Sequence, residues 1–308
     1  MRIIKDINKL NIAATKAAIA LGKFDGIHLG HRRLIDEVIK RKENGLLSAI
    51  ITFDPSPEVY FGKSNDRKIL LNNEMEAFLR ELGIDLLIYF PMNKETVKIA
   101  PTTFITDFLI NKLKMAFICA GDDLHFGDAG RGNSDLLTQM SEELGFETLI
   151  IPKICLNERE ISTTYAKAAI EKSDMELAAA ILGYHFEVSG KVLPGMKLGR
   201  TLGFPTANLL PPPDKILPPP GVYICSVKTT YGILPGICNV GVKPTIEGEH
   251  SLSVETHIYD FAGDLYEQEI VVSFLKFVRP EKKFADINAL KVQVLDDMRK
   301  GREYFSGR

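Results

Sequence analysis

The chain has 308 residues, 45% hydrophobic and 25% charged, with a formal net charge of −2. That is enough for one large domain or two ordinary ones, and it leaves no basic field to attract nucleic acid or an acidic membrane. No apolar run reaches the length of a bilayer span, the charged start Met1-Arg2-Ile3-Ile4-Lys5-Asp6 lacks a signal-peptide core, and Cys119, Cys155, Cys225 and Cys238 form no Cys-x-x-Cys pair. These features predict a cytoplasmic protein with buried free thiols, no structural zinc and no nucleic-acid or membrane partner.

The first half alternates. Apolar runs at 17–21, 46–53, 86–90, 115–120 and 147–152 predict strands, and helical periodicities near 31–42, 73–82, 102–113 and 134–144 lie between them. Strand–helix alternation at this spacing implies a doubly wound parallel α/β sheet, in which ligands bind beyond the carboxyl ends of the strands. Helical patterns continue at 162–172 and 174–182. From Phe186 to Phe277 the chain changes to short β-rich runs broken by Gly and Pro, at 187–192, 222–229, 233–240, 253–259 and 270–277. That pattern predicts a small antiparallel β-barrel, with the boundary near Gly183 and domains 1–183 and 184–308. The proline-rich stretch 210–221 reads as a stiff loop between strands. In the last segment Ile287, Leu290, Val294, Leu295 and Met298 share a helical face that packs back on its own domain.

The stretch Gly22-Lys23-Phe24-Asp25-Gly26-Ile27-His28-Leu29-Gly30-His31 follows the first predicted strand and opens the first helix. A strand, a glycine-bearing turn and a helix start place free N–H groups and the positive end of the helix dipole toward an anion. His28 and His31, three residues apart, project from one face. A βα turn whose glycines serve only chain geometry would read the same way from the spacing alone.

This string, followed by Thr52-Phe53-Asp54-Pro55-Ser56-Pro57 and Gly121-Asp122-Asp123-Leu124-His125-Phe126-Gly127, resembles the adenylyltransferase half of bacterial bifunctional riboflavin kinase/FAD synthetases. The resemblance implies a nucleotidylyltransferase-like fold in which the phosphate of FMN attacks the α-phosphorus of ATP. It places His28 and His31 on ATP phosphates, Gly22, Phe24, Asp25 and Gly30 around the nucleotide, and Asp123 on the flavin side. It also implies that the hydroxyls of Ser162 and Thr163 cap a helix and bond a phosphate. Three positions depart from the family pattern. The usual histidine of Thr-Phe-Asp-Pro-His-Pro is Ser56, and the two arginines of Ile-Ser-Ser-Thr-Arg-Ile-Arg are Tyr165 and Lys167. Losing one preorganised donor to transition-state charge costs about 3–4 kcal/mol, and a lysine does not replace a bidentate fork. Adenylyl transfer that is slow, altered in substrate or lost is therefore expected.

In the second half, Gly195-Met196-Lys197-Leu198-Gly199-Arg200-Thr201-Leu202-Gly203-Phe204-Pro205-Thr206-Ala207-Asn208 resembles the riboflavin kinase signature, and Asn239-Val240-Gly241-Val242-Lys243-Pro244-Thr245 and Val254-Glu255-Thr256-His257 follow in the family's order. Gly195 and Gly199 let backbone approach phosphates closely, and Arg200 lies in the same nucleotide-binding string. Thr206 and Asn208 offer two uncharged oxygens on one side of an extended segment, which suits Mg²⁺ completed by ATP phosphates and water. Glu255 alternates with Val254 and Thr256, and a carboxylate there can take the proton of the riboflavin 5′-hydroxyl as it attacks the γ-phosphorus. An exposed strand glutamate would give the same alternation. The substrates implied are ATP, riboflavin and FMN. Two alternatives stay open at this point: a riboflavin kinase whose first half is inactive or altered in substrate, and a non-catalytic flavin- and nucleotide-binding regulator.

Overall fold

The structure is a computed structural model that describes residues 1–10, 12, 15–63, 67–194, 203–244 and 250–307. Gly195, Gly199 and Arg200 lie outside the described residues. Packing divides the chain into two compact units, Met1–Thr163 and Thr164–Arg308. This division assigns residues 164–182 to the second unit, whereas the composition shift lies near Gly183.

The first unit is a six-stranded parallel sheet. Its strands are β1 (Arg2–Ile4), β2 (Ala17–Leu21), β3 (Leu47–Asp54), β4 (Leu86–Pro91), β5 (Met115–Gly121) and β6 (Glu147–Ile151), in the order β1-β4-β3-β2-β5-β6. Every residue of β2 is buried, as a central strand covered on both faces requires. Helix α1 (Leu29–Lys40) turns Leu34, Ile35 and Val38 inward and packs on β2, β3 and β5. Helix α2 (Asn72–Glu81) buries Met75 and Leu79, and α3 (Ser134–Leu144) buries Leu137 and Met140. The predicted helix at 102–113 is a π-helix over Phe104–Lys112. After β2 the chain goes to β3 on one side, then returns to β5 on the other. The reversal point therefore lies between the carboxyl ends of β2 and β5.

The hairpin β7 (Cys155–Leu156) and β8 (Arg159–Glu160) ends the first unit, and α4 (Thr163–Glu171) and α5 (Met175–Leu182) follow. The second unit holds β9 (Glu187–Lys191), β10 (Ala207–Leu209), β11 (Gly221–Thr229), β12 (Gly232–Pro244), β13 (His250–Ile258) and β14 (Glu269–Pro280), and then α6 (Ile287–Ser306). The six strands pair antiparallel in the order β10-β13-β12-β11-β14-β9. A bridge between Leu193 and Asn208 brings the chain just past β9 against β10, and the Leu193 N–H donates to the Asn208 carbonyl at 2.9 Å. The sheet is thus nearly closed as a barrel. The loop before β11 has no regular structure and buries Lys215, Ile216 and Leu217.

Two expectations are corrected. Helix α6 does not pack through all five predicted apolar positions: Ile287 and Leu295 are 52% and 51% exposed. Its inward positions include Asp297 and Gly301, because Arg279 pairs with the former and the Tyr259 hydroxyl occupies the space a Cβ on the latter would take. Among the four free cysteines Cys155 is exposed on β7, since a two-stranded hairpin of two residues each has no interior.

Candidate active sites

At the reversal point of the parallel sheet, the turn after β2 is shaped by backbone strain and by borrowed hydrogen bonds. Phe24, Gly26 and Ile27 adopt φ of 53°, 82° and 35°, while the side chains of Phe24 and Ile27 are fully buried. Left-handed conformations in a bulky residue persist only where packing over-determines them. The Asp25 carboxylate accepts the backbone N–H of Ile69 at 2.9 Å, and the Asp25 carbonyl accepts the hydroxyl of Thr163 at 2.8 Å. The Thr52 hydroxyl donates to the carbonyl of Lys23 at 2.8 Å. A Cβ on Gly26 would lie 2.9 Å from Ile69 Cδ1, so this turn has no room for a side chain there. A Cβ on Gly22 would lie 3.3 Å from the Phe24 ring and one on Gly30 3.2 Å from the His28 imidazole, tight approaches but less severe than at Gly26.

His28 is the N-cap of α1. Its Nδ1 accepts the backbone N–H of His31 at 3.3 Å, which assigns the ring proton of the neutral imidazole to Nε2. The two imidazoles stack, with centroids 3.7 Å apart and planes 17° off parallel, and Phe24 lies 5.0 Å from the His31 ring. Burial lowers the pKa of His28 to about 4, against the opposing pull of Asp25 and Asp123. His31 is held well below its ordinary value, first by burial and then by the charges of His28 and Lys23. Both rings are therefore neutral near pH 7. His31 Nδ1 is buried with no partner among the described residues. Asp123, just after β5, contributes to the field at His28 and forms an ion pair with Lys153 at 3.3 Å. Lys153 also reaches Glu160 at 2.7 Å.

The three departing positions have local roles. Ser56 caps the one-turn helix Pro57–Tyr60, its Oγ accepting the N–H of Val59 at 3.5 Å. Tyr165 is buried in α4, where it is 7% exposed, and Lys167 is half-buried on the same helix. Ser162 directly precedes that helix.

In the barrel, strand register assembles the second site. Asn208 of β10 lies opposite Glu255 of β13, which lies opposite Asn239 of β12. Asn239 pairs in turn with Val222 of β11, and Val222 with Arg279 of β14. One cross-strand row thus carries Asn208, Glu255, Asn239 and Arg279. The predicted alternation holds: Val254 and Thr256 are fully buried, while Glu255 and His257 face a cavity of about 340 Å³. Thr206 lines the same cavity, and Asn208 Nδ2 donates to the Thr206 carbonyl at 3.3 Å. His257 Nδ1 is 2.9 Å from the carbonyl of Pro205, which ties this segment to β13, and burial lowers its pKa.

Structure thus brings together His28, His31, Gly22, Phe24, Asp25, Gly30 and Thr163 around one turn, with Asp123 near it. It brings Thr206, Asn208 and Glu255 together in the barrel. Sequence reasoning missed Lys153, Glu281, Arg279 and Asp297. Glu281 Oε1 lies 3.5 Å from Asn239 Nδ2 and faces the cavity. Asn239 was visible only as part of a motif, and the signal that places it is its register with Glu255.

A family model described as FAD synthetase matches residues 11–165, and one described as riboflavin kinase matches residues 182–305. A bifunctional riboflavin kinase/FMN adenylyltransferase of Buchnera aphidicola is 33% identical over 314 residues, covering 99% of each chain. The protein of that name from Escherichia coli is 33% identical, covering 99% of this chain and 98% of its own. A crystal structure of a protein from Streptococcus pneumoniae described as a macrolide-efflux protein superposes with a TM-score of 0.87 at 26% identity, covering 98% of both chains. With both halves matched in order and relatives of this identity spanning nearly every residue, the chain belongs to the bifunctional riboflavin kinase/FMN adenylyltransferase family.

Proposed function

We propose that the barrel unit phosphorylates riboflavin to FMN and that the parallel-sheet unit adenylylates FMN to FAD, with ATP as donor in both steps. The observation that carries the reading is the row Asn208–Glu255–Asn239 beside Thr206, in which Glu255, Asn239 and Thr206 line the cavity and Asn208 is buried next to them. Glu255 takes the proton of the attacking 5′-hydroxyl. Among the described residues no group of three or more His, Cys, Asp or Glu forms a metal cage. Neutral oxygens next to one carboxylate suit a Mg²⁺ held largely by nucleotide phosphates and water. Thr206 and Asn208 would hold it, and it would offset charge on the transferring phosphoryl group. Gly195, Gly199 and Arg200 belong to the nucleotide side of the same site by their place in the motif.

In the first unit the chemistry is alignment of two anions and relief of charge at the α-phosphorus. Neutral His28 donates from Nε2, and His31 stacks beside it. Gly22, Phe24, Asp25, Gly26 and Gly30 hold the turn in a shape that admits the triphosphate, while Ser162 and Thr163 open the helix that follows. Asp123, charge-balanced by Lys153, lies on the FMN side. The proposed location is the cytoplasm, which four free cysteines support. No helix among the described residues is long and apolar enough to cross a membrane. The near-neutral net charge supports small-molecule substrates and no nucleic-acid partner.

The test is incubation of the full chain with riboflavin and Mg-ATP, followed by separation of riboflavin, FMN and FAD. FMN and FAD are both expected: the match to the FAD synthetase model over residues 11–165 and the bifunctional relatives spanning the chain outweigh the loss of adenylyl transfer expected from Ser56, Tyr165 and Lys167. FMN alone would overturn the adenylyltransferase half of the reading, and recovery of only riboflavin would overturn both halves.

A further inference from the structure

Strand β10 begins at Ala207, which lies opposite Thr256, and Asn208 lies opposite Glu255. Continued by one step, the antiparallel register would set Thr206 against His257. The ladder stops short of that step, and the residue before Thr206 is Pro205, which has no N–H to give. The His257 side chain takes over there. Its Nδ1 lies 2.9 Å from the Pro205 carbonyl, and since a carbonyl only accepts, Nδ1 carries the ring proton. His257 and Glu255 stand two residues apart on one face of β13, about 7 Å along the strand, and both line the cavity with Thr206. Two side chains thus bracket Thr206. His257 holds the carbonyl before it, and Asn208 Nδ2 donates to the Thr206 carbonyl at 3.3 Å. The Tyr259 ring lies 5.9 Å from the imidazole. The charged groups that act on the ring, Arg302 and Asp260, pair with each other through bonds of 2.8 and 2.9 Å.

We propose that His257 is a positioning residue for phosphoryl transfer, holding Thr206 in place against the strand that carries Glu255. The inference rests on the riboflavin-phosphorylating reading of this cavity, in which Thr206 serves the nucleotide and Glu255 the attacking hydroxyl. Transfer needs the two partners in line, and a misplacement of about 1 Å can cost about 10²-fold. Pro205 offers only a carbonyl, so a side-chain donor replaces the ladder bond at this point. The donor comes from the same strand as the carboxylate, which ties the nucleotide side and the hydroxyl side to one rigid element.

The test compares full-length wild type with His257→Leu, His257→Asn and His257→Gln. Asparagine places an amide N–H where Nδ1 stands, glutamine carries it one bond further out, and leucine has none. In His257→Leu the KM for Mg-ATP in FMN formation should rise about fivefold and kcat should fall about tenfold. The riboflavin Kd by flavin fluorescence, and FAD formation from supplied FMN, should stay within about twofold. His257→Asn should restore both kinase constants to within about threefold of wild type, and His257→Gln should not. A second readout needs no turnover. Amide exchange of Thr206 and Ala207 in the ligand-free chain should quicken in His257→Leu and keep the wild-type rate in His257→Asn. Wild-type Mg-ATP constants and exchange in His257→Leu would overturn the inference. Equal deficits in His257→Leu and His257→Asn would overturn it too, as would a rise confined to the riboflavin KM. If His257→Leu does not fold, the contrast between His257→Asn and His257→Gln decides. Wild type that fails to phosphorylate riboflavin would instead overturn the reading of the cavity itself.

Discussion

At the scale of single residues, His28 links stability to pH. Its unfolded imidazole titrates near 6.5, and its folded one near 4. Between those values the unfolded chain binds more protons, so stability rises with pH. The contribution is fully present above about pH 6.5 and is lost as pH falls through the folded value. At 1.36 kcal/mol per unit, the whole span amounts to roughly 3 kcal/mol. His31 adds in the same direction, since it too is held below its ordinary value. His28→Asn retains an N-cap and removes one titration. The variant should lose less melting temperature than wild type between pH 6.5 and pH 4, and equal losses would show that His28 charging is not coupled to unfolding. A bound triphosphate raises the pKa of a neighbouring imidazole, so ATP binding near pH 6 should be accompanied by proton uptake, measurable by calorimetry in buffers of different ionisation enthalpy.

At the scale of elements, the βα turn after β2 tolerates no added side chain at its left-handed glycine. Gly26→Ala sets a Cβ 2.9 Å from Ile69 Cδ1 at φ of 82°, and strain of this kind costs about 1–3 kcal/mol. The variant should lose FAD formation from supplied FMN while still phosphorylating riboflavin; retained FAD formation would mean that the turn does not shape the nucleotide pocket. The strands of the parallel sheet were legible because they are continuous apolar runs, and so was the turn, whose glycines and histidines lie within ten residues. Strand β1 was missed because three residues at a sheet edge carry no measurable period. The π-helix was read as an ordinary helix because apolar spacing over nine residues does not distinguish the two. The face of α6 was misjudged for another reason: Asp297 is polar in sequence and buried only because Arg279, eighteen residues earlier, folds against it. The barrel site shows the same limit. Thr206 and Asn208 are two residues apart and were readable, whereas Asn239 and Arg279 join Glu255 only through register.

At the scale of the molecule, the two sites sit in separate compact units, each with its own sheet. Their chemistries should therefore separate by mutation. Glu255→Gln should lower FMN formation from riboflavin by at least 10²-fold, in the range of a lost general base, while FAD formation from supplied FMN stays near wild type. Parallel loss of both would show that the carboxylate serves the fold of the whole chain. The seam of the barrel adds a kinetic side to this. Among the described residues, a bond from the Leu193 amide to the carbonyl of Asn208 joins its two edges, so the residue that fastens the seam also borders the proposed kinase site. Opening the seam would draw Asn208 out of its row with Glu255, which makes the Leu193 amide a built-in reporter of the proposed kinase site. Its hydrogen exchange should slow when Mg-ATP and riboflavin occupy the site, before any change is visible in the global melting curve.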